Sequence, residues 1–533
     1  MPAAKQVIDM VRTIELSIFS SRLAALCEEM GASLQRSAFS PNIKDRLDFS
    51  CAVFDASGDL CAQAAHIPVH LGSMAYAMAG LVAACDWRQG DVLIVNDPYL
   101  GGTHLPDVTV VAPVFVDDEL LGFVANRAHH ANIGATSPGS MPVARSLEEE
   151  GVVIPPTLLW RDGQRDQAVW DALCGNNPDI RVQGDFQAQV SCCQLGVVRL
   201  TDLVQRTGTQ TFKTFLRALN EYGESLARGE WARIPDGVYR FTDYMEDDGL
   251  GTRDIPIQVA LMIQGGRIVA DFTGTAAQVP GNINCPLSVA AAAVYYCFRC
   301  LLPDFAPACA GIFRPIQLQA PEGCLVNARR PAAVAAGNVE TSSRIVDAVF
   351  GALAQALPEH IPAASQGTMN NIAMGSRASH HHLAWDYYET IGGGSGAAAT
   401  GAGLSARQTH MTNTLNTPVE SIESHFPLRI TRYQIRRGSG GQGVHRGGDG
   451  VVREFEFLAP TQVSLLTERR TRAPWGLGGA EAGAVGINLL NDQLLPAKVE
   501  CQLQAGDRLT IMTPGGGGWS PPGQSWNPSR QKE

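Results

Sequence analysis

Charged residues are scarce in this chain of 533 residues: they make up 17% of it, and no tract rich in lysine and arginine stands out. The net charge is −11, because 52 acidic residues outnumber 41 basic ones. Proteins that bind nucleic acid usually carry a basic patch. The composition therefore predicts no nucleic acid partner.

Long apolar segments are also missing. No run reaches the roughly 18 apolar residues that a membrane-spanning helix needs. The first residues, MPAAKQVIDMVRTIEL, lack an apolar signal core followed by a cleavage site. The 13 cysteines are odd in number and scattered, and the CxxC formed by Cys297 and Cys300 has no second pair. We expect reduced thiols, no membrane partner and a cytoplasmic location.

Glycine and proline are plentiful, at 55 and 31 residues, which favours many tight turns over a helical bundle. Before about Asp236 an apolar stripe at helical spacing, over Thr13 to Arg36, is mixed with β-branched strands. After Asp236 short strands alternate with glycine-rich segments, whose glycines we expect in turns. The sequence predicts an α+β fold. Its N-terminal lobe, residues 1–235, contains β-hairpins that carry a metal site, and its C-terminal lobe, residues 236–533, is β-rich and Gly-rich.

The most informative stretch runs from Asn96 to Gly139. It contains a hairpin pattern, in which the apolar runs VTVVAPVFV and LLGFVA flank the polar residues DDE. If Asp117 to Glu119 form the turn, the ladder places Asp107 opposite His129, with Cβ atoms roughly 5 Å apart. His104 lies one short turn before Asp107 and can reach the same edge.

Two imidazoles and a carboxylate suit Zn, Mn or Fe, and three protein ligands leave positions open for water or substrate. The spacing is not a known zinc signature such as HExxH. A histidine at a strand end is also more often a buried, hydrogen-bonded residue than a ligand. A turn shifted by one residue would separate Asp107 from His129.

For other polar residues the sequence gives weaker evidence of a role in a binding or metal site. His66 and His70 are expected to be loop or core histidines that could line a pocket, and the histidines at 380–382 are expected in a solvated loop. Two loops that precede helices offer Asn282 with Asn284 and Asn338 with Glu340, which could contact a substrate, although loop and capping roles are commoner. The glycines of IGGGSG could cradle phosphate, but no lysine follows them as in a P-loop.

A series of ordered segments runs through nearly the whole chain: RLDFSCAVFD, HIPVHLGSM, NDPYLGGTHLPDVT, RAHHANIG with PGSM, GDFQAQ, GNVETS, YYETIGGGSGA, TNTLNTPVE, RRGSGGQGVHRGGDG, PWGLGG and TPGGGGW. Together these segments resemble the hydantoinase B/oxoprolinase family. That family includes subunits or domains of ATP-dependent hydantoinases, 5-oxoprolinase, caprolactamase and acetone carboxylase.

The resemblance implies a ligand set. By motif, the family's metal ligands fall on His104, Asp107 and His129, and Asp48 in RLDFS is a further candidate. The chain departs from the family at Asn132, where Asp is usual in HHADIGG, and at Ala135, where Gly is usual. These departures remove a charge near the expected site and bear on the hydrogen bonds around it.

The resemblance also implies a reaction and a partner. Relatives act with an actin-like ATPase, here a hydantoinase A-type ATPase subunit, which phosphorylates the amide or ketone oxygen with ATP. A metal-bound water of lowered pKa can then attack the activated carbon, and His130 is the candidate for proton transfer. The implied function is therefore the metal-dependent subunit of an ATP-dependent cyclic amide hydrolase, in a hetero-oligomer, with a hydantoin, 5-oxoproline or a lactam as substrate.

Two other functions stay open. An ATP-dependent carboxylase of a small ketone would use the same metal to hold an enolate and carbon dioxide. A non-catalytic scaffold for the ATPase would keep the fold and lose the metal.

Overall fold

The computed structural model describes residues 2–64, 67–174, 180–377 and 384–521. The α-helices in these ranges are α1 (Pro2–Ser37), α2 (Pro41–Lys44), α3 (Pro68–Ala83), α4 (Gln167–Cys174), α5 (Ile180–Thr207), α6 (Thr209–Trp231), α7 (Leu287–Arg299), α8 (Ser342–Ala356) and α9 (Val419–His425). The strands are β1 (Phe49–Asp55), β2 (Leu60–Gln63), β3 (Val92–Val95), β4 (Asp107–Val116), β5 (Glu119–His129), β6 (Thr157–Arg161), β7 (Gln164–Arg165), β8 (Gly237–Asp247), β9 (Arg253–Gln264), β10 (Arg267–Asp271), β11 (Ile316–Gln319), β12 (Asn371–Ser376), β13 (Trp385–Glu389), β14 (Leu428–Arg436), β15 (Gly450–Phe457), β16 (Thr461–Leu466), β17 (Ile487–Leu490), β18 (Gln493–Leu494), β19 (Lys498–Leu503) and β20 (Arg508–Met512).

These strands form four sheets, and all their pairings except β10 with β11 are antiparallel. The largest has seven strands in the order β2-β1-β5-β4-β3-β6-β7. The others follow the orders β11-β10-β9-β8, β13-β12-β16-β19 and β14-β15-β20-β17-β18. Antiparallel sheets combined with separate helices confirm the α+β prediction. Among the described residues, no helix combines the length and the apolarity that crossing a bilayer requires.

The seven-stranded sheet is buried on both faces. Helix α5 lies against β4 and β5 on one face and packs on α1, whereas the side chains of α3 contribute Met74, Met78 and Leu81 to the core on the other face. Burial on both sides explains why β1 and β4 are nearly continuous apolar runs rather than alternating ones. It also fixes the central β4–β5 hairpin rigidly.

The boundary predicted at Asp236 separates the sheets. The seven-stranded sheet lies wholly before that residue and the three smaller sheets lie after it. The main hydrophobic core nevertheless crosses the boundary, since it runs without a break from Phe19 to Leu466. The division into lobes 1–235 and 236–533 therefore stays a prediction.

The glycine-rich segments after residue 390 differ from the prediction of turns. Most of their glycines do not have positive φ, and extended segments instead lie side by side. Gly516 donates its N–H to Gly448 O at 2.9 Å, and Gly448 donates to Ser395 O at 2.9 Å. A Cβ on Gly394 would lie 2.0 Å from Gly448 O. These glycines are required because backbone packs directly on backbone, where no side chain fits.

Candidate metal centre

The β4–β5 hairpin pairs Asp107 with His129, which confirms the predicted register. Asp107 is the first residue of β4 and His129 the last of β5, so both lie at one end of the ladder. The pair is buried beneath the neighbouring elements, with relative exposures of 1% and 2%.

The turn itself differs from the prediction. Only Asp117 and Asp118 connect the strands, with φ of 51° and 61°, as in a tight two-residue hairpin turn. Such a turn alone would bring Asp107 opposite Ala128. The register shifts back by one residue between Val114 and Phe115 of β4, because β5 carries an extra residue there. The predicted pairing is therefore correct, although the turn proposed for it was one residue too long.

His104 reaches the same edge through a tight turn, in which Asp107 donates its N–H to His104 O at 3.1 Å. Nδ1 of His104 donates to the carbonyl oxygen of Ala335 at 3.2 Å, because a carbonyl can only accept. In the neutral imidazole, Nε2 is then an acceptor, and it lies 3.1 Å from Asp107 Oδ1 without forming a hydrogen bond. Two buried acceptors this close repel each other unless a proton or a cation lies between them.

The two carboxylate oxygens of Asp107 have different surroundings. Oδ1 accepts a hydrogen bond from His129 Nδ1 at 3.2 Å and lies 3.1 Å from His104 Nε2. Oδ2 accepts hydrogen bonds from Thr103 Oγ1 at 2.5 Å, His70 Nε2 at 3.2 Å and Asn338 Nδ2 at 3.3 Å. Oδ2 thus anchors the side chain, and Oδ1 is the oxygen available to a metal ion.

The electrostatics of the cluster favour ionised Asp107. Burial by itself would raise the pKa of Asp107, but the charges of His104 and His70 outweigh burial and hold that pKa well below its usual range. Burial likewise acts to lower the pKa of His104, yet the Asp107 charge outweighs it and raises that pKa. For His129 burial dominates and lowers the pKa, which favours the neutral imidazole that metals bind.

A divalent metal ion fits this arrangement. The ligand-type atoms of His104, Asp107 and His129 all lie within 4.8 Å of one another. Nε2 of both histidines is buried and has no hydrogen-bond partner among the described residues. Imidazole nitrogens with one carboxylate are a donor set for zinc, manganese or iron.

The cluster opens into a recess, which we define by the fourteen residues that line it. They are Asp48, Ile67, Val69, His70, His104, Asp107, His129, Asn338, Val339, Met369, Tyr388, Thr390, Met411 and Thr412. The free volume is about 20 Å³, the room of one ion or one water. A ring substrate can therefore bind only if side chains move, and Met369 and Met411 are the most adaptable of them.

Asp48 and His130 occupy different positions relative to this cluster. Asp48 lines the recess, but its Oδ2 lies 3.8 Å from Arg46 Nη2, so a fourth-ligand role stays a prediction. His130 points away from the recess: its Nε2 lies 2.9 Å from Gln189 Oε1, and its ring stacks on Phe186 at 4.4 Å. Its proton-transfer role also stays a prediction, and this position beneath α5 offers it no contact with the recess.

The sequence reasoning missed several residues that the fold brings to the site. His70, expected to be a loop or core histidine that could line a pocket, contacts Asp107 from the first turn of α3. Thr103 lies within the GTHLPD turn, and the HIPVHLGSM segment was a signal for His70. Asn338, which the sequence offered as a possible substrate contact, lies in GNVETS, and Tyr388 lies in YYETIGGGSGA, but no local pattern placed either of them beside Asp107. His66 and the histidines at 380–382 lie outside the described residues.

The two departures from the family pattern lie in the loop after β5. Asn132 Nδ2 donates to Asp386 Oδ2 at 2.9 Å, and the carbonyl oxygen of Ala135 accepts from Arg377 Nη2 at 3.0 Å. An aspartate at position 132 would instead face the carboxylate of Asp386. The asparagine therefore ties this loop to β13, and its amide does not contact the three ligand-type side chains.

Known proteins share this sequence and fold. The family model described as hydantoinase B/oxoprolinase matches residues 12–522. 5-Oxoprolinase 1 of Arabidopsis thaliana is 38% identical over 97% of this chain, which spans only 42% of that protein's length. The putative B-type subunit of a D-/L-hydantoinase from a Pseudomonas species is 32% identical over 96% of this chain. The match covers 90% of that subunit's length.

A solved structure is similar throughout. The crystal structure of ATP-dependent caprolactamase from Pseudomonas jessenii superposes with a TM-score of 0.88 at 27% identity, covering 95% of this chain and 91% of that chain. The match of the family model over almost the entire length confirms the resemblance that the ordered segments indicated. The chain belongs to the hydantoinase B/oxoprolinase family.

Proposed function

We propose that this chain is the metal-dependent part of an ATP-dependent hydrolase of small cyclic amides. The observation that carries the proposal is the pair of buried acceptors, His104 Nε2 and Asp107 Oδ1, 3.1 Å apart beside His129. Either a proton on His104, which its raised pKa favours, or a divalent ion bound to the neutral imidazole would relieve the repulsion between them. A divalent ion satisfies both acceptors and would leave positions open toward the recess.

The metal would supply Lewis acidity, polarising an oxygen ligand or lowering the pKa of a bound water. The chain's own residues prepare the site for it. Ala335 O fixes the tautomer and the ring plane of His104, and His70 and Thr103 hold the carboxylate of Asp107 by its far oxygen. Such supporting contacts typically contribute tenfold to hundredfold in metal affinity.

The need for ATP follows from the chemistry of the substrate. An amide carbon is a poor electrophile, and phosphorylation of its oxygen creates a leaving group. The γ-phosphoryl group leaves ADP and bonds to the amide oxygen. A first water then adds to the ring carbon and the C–N bond opens, which gives an acyl phosphate. A second water hydrolyses this acyl phosphate to a carboxylate and releases phosphate. A cyclic amide, ATP and two waters thus give an amino acid, ADP and phosphate.

We further propose that a hydantoinase A-type ATPase supplies the phosphoryl group. Support comes from lengths: this chain spans most of the Pseudomonas hydantoinase polypeptide and of the caprolactamase chain, but only 42% of the Arabidopsis 5-oxoprolinase. In that longer relative the remaining sequence is part of the same polypeptide. The ATPase is therefore either a separate chain or another portion of one polypeptide.

The test is ATP turnover and ring opening against a panel of hydantoins, 5-oxoproline and lactams, with and without the ATPase. We expect ring opening only when ATP, metal and the ATPase are all present. Ring opening by this chain alone with ATP would contradict the partner. If the enzyme instead converts a small ketone and needs bicarbonate to do so, the reaction is carboxylation rather than hydrolysis. Activity without bound metal would refute the metal's role.

A further inference from the structure

Asn338 lines the recess and carries a hydrogen-bond acceptor that no described residue satisfies. Its side chain is 3% exposed and lines the recess beside the three ligand-type residues. Nδ2 donates to Asp107 Oδ2 at 3.3 Å, whereas Oδ1 is buried and has no partner in the part of the chain that the structure describes. An ionised carboxylate only accepts hydrogen bonds, so the amide nitrogen must face Asp107 and the amide oxygen must face elsewhere.

The backbone holds Asn338 firmly in this orientation. The residue lies in the π-helical turn Gly337–Thr341, which leads into α8. Ser342 Oγ donates to Asn338 O at 2.5 Å, and a Cβ on Gly337 would lie 1.8 Å from Asn284 O. Such single π-turns occur frequently at functional sites. A buried acceptor left without a donor costs about 1–3 kcal/mol, which a ligand carrying an N–H would recover.

We propose that Asn338 is a substrate-binding residue whose Oδ1 accepts a hydrogen bond from the ring N–H of a cyclic amide. The inference rests on the proposed function and specifies its substrate class: a ring amide that keeps a hydrogen on nitrogen. Asn338 is already anchored through its other amide atom, so the room for the ring has to come from other side chains of the recess, such as Met369 and Met411.

The geometry of a ring amide matches this placement. In a small lactam the carbonyl oxygen and the N–H lie on the same edge, since the ring forces the cis amide. A carbonyl directed at the His104–Asp107–His129 cluster therefore brings its N–H beside the cluster, where Asn338 borders Asp107. A linear amide is trans, and its cis form costs about 2.5–4 kcal/mol. The same contact thus favours rings over chains.

The contact also fits the activated substrate. When the amide oxygen takes the phosphoryl group, the nitrogen keeps its hydrogen and gains positive charge. A hydrogen bond from a charged donor is stronger than one from a neutral donor. Asn338 Oδ1 would therefore bind the phosphorylated ring more tightly than the free amide, while the apolar side chains of Val69, Met369 and Met411 face the ring methylenes.

The experiment measures the equilibrium binding of two rings of matched size to the chain at saturating zinc or manganese. 2-Pyrrolidinone has a carbonyl and an N–H, whereas cyclopentanone has the carbonyl alone. We expect the wild type to bind 2-pyrrolidinone roughly tenfold more tightly, the typical effect of one hydrogen bond. Asn338→Leu, which removes the acceptor at similar volume, should reduce this ratio to near one.

Asn282 provides a matched control. It is also a buried asparagine with an unpartnered Oδ1, and its Nδ2 donates to Pro142 O at 2.6 Å, but it does not line the recess. Asn282→Leu should keep the wild-type preference.

Several outcomes would overturn the inference. The wild type could bind both rings equally or bind neither. The preference for 2-pyrrolidinone over cyclopentanone could survive Asn338→Leu, or Asn282→Leu could abolish it as well. A variant Asn338→Leu that fails to hold metal at saturating concentration would assign Oδ1 to the metal instead. Should Asn338→Leu not fold, the wild-type preference between rings still decides. If lactams are opened but binding does not favour the ring with an N–H, this inference fails and the proposed function stands. If binding favours the ring with an N–H but no ATP-dependent ring opening occurs, the proposed function fails and this inference stands.

Discussion

The ring of Tyr388 lies flat against the ring of His129, with centroids 4.6 Å apart and planes inclined by 13°. Its hydroxyl donates to Asn371 Oδ1 at 2.7 Å, and Asn371 in turn donates to the buried carboxylate of Glu340 at 2.7 Å. The stack fixes the plane of the imidazole from the side of the recess. One strand of a C-terminal sheet therefore orients a proposed ligand that an N-terminal strand supplies.

This stack predicts a difference between two substitutions of Tyr388. Tyr388→Phe keeps the ring and should retain metal affinity, although it leaves Asn371 Oδ1 without its donor and costs about 1 kcal/mol of stability. Tyr388→Leu loses the ring plane and should weaken metal binding roughly tenfold. Metal titration with chemical denaturation checks both. Equal metal affinities in the two variants would show that the stack does not position His129.

The ligand assignment predicts the metal content of four alanine variants. His104→Ala, Asp107→Ala and His129→Ala should each lose most of the metal, because two remaining donors cannot restore the geometry. His130→Ala is the matched buried histidine and should keep the metal, since its ring contacts Gln189 and Phe186. Elemental analysis of purified, folded protein measures this. Metal retained in the first three variants would refute the assignment.

Alanine substitutions at two glycines, one in the seven-stranded sheet and one in the helix α3 that packs on it, should change stability in opposite directions. A Cβ on Gly122 of β5 would lie 2.4 Å from Phe54 O, so Gly122→Ala should lower the free energy of unfolding by about 2 kcal/mol or more. Gly80 of α3 has no atom within 4 Å of an added Cβ, so Gly80→Ala should stabilise by about 0.5–1 kcal/mol. Urea denaturation of both variants tests the contrast, which fails if Gly122→Ala is neutral.

Glu150 predicts a pH dependence of stability. Its Oε1 accepts from Val334 N and Ala335 N, its Oε2 has no partner, and burial raises its pKa to about 8. The folded state therefore holds a proton that the unfolded state releases near the ordinary glutamate pKa. The stabilisation is complete below that ordinary pKa and is lost as pH rises to about 8.

Glu150→Gln removes this titration. Relative to wild type, the variant should gain stability as pH rises from 5 to 8, by at most about 1.4 kcal/mol per pH unit, and the gain should level off above that. Denaturation at several pH values provides the measurement. A difference between wild type and variant that does not change over this range would mean that Glu150 is not protonated in the folded state.

The sequence determined the features that depend on neighbouring residues. The apolar runs flanking the two aspartates fixed the β4–β5 hairpin, and the THLPD turn placed His104 near the edge where Asp107 begins its strand. Because side chains alternate along a strand, the same local geometry turned His130 away from His129. The ordered motifs extended this to the family, and they predict its ligand set at His104, Asp107 and His129.

The tertiary structure alone decided the rest. Three features depend on segments that are far apart in the chain. They are the compensating extra residue in β5, the backbone packing of the glycines after residue 390, and the position of His70, Asn338 and Tyr388 at the cluster. Their contacts are selected by how whole elements pack together. Burial on every side makes an unpartnered polar atom costly. Among the described residues that line the recess, His104 Nε2, His129 Nε2 and Asn338 Oδ1 are the acceptors left without a donor.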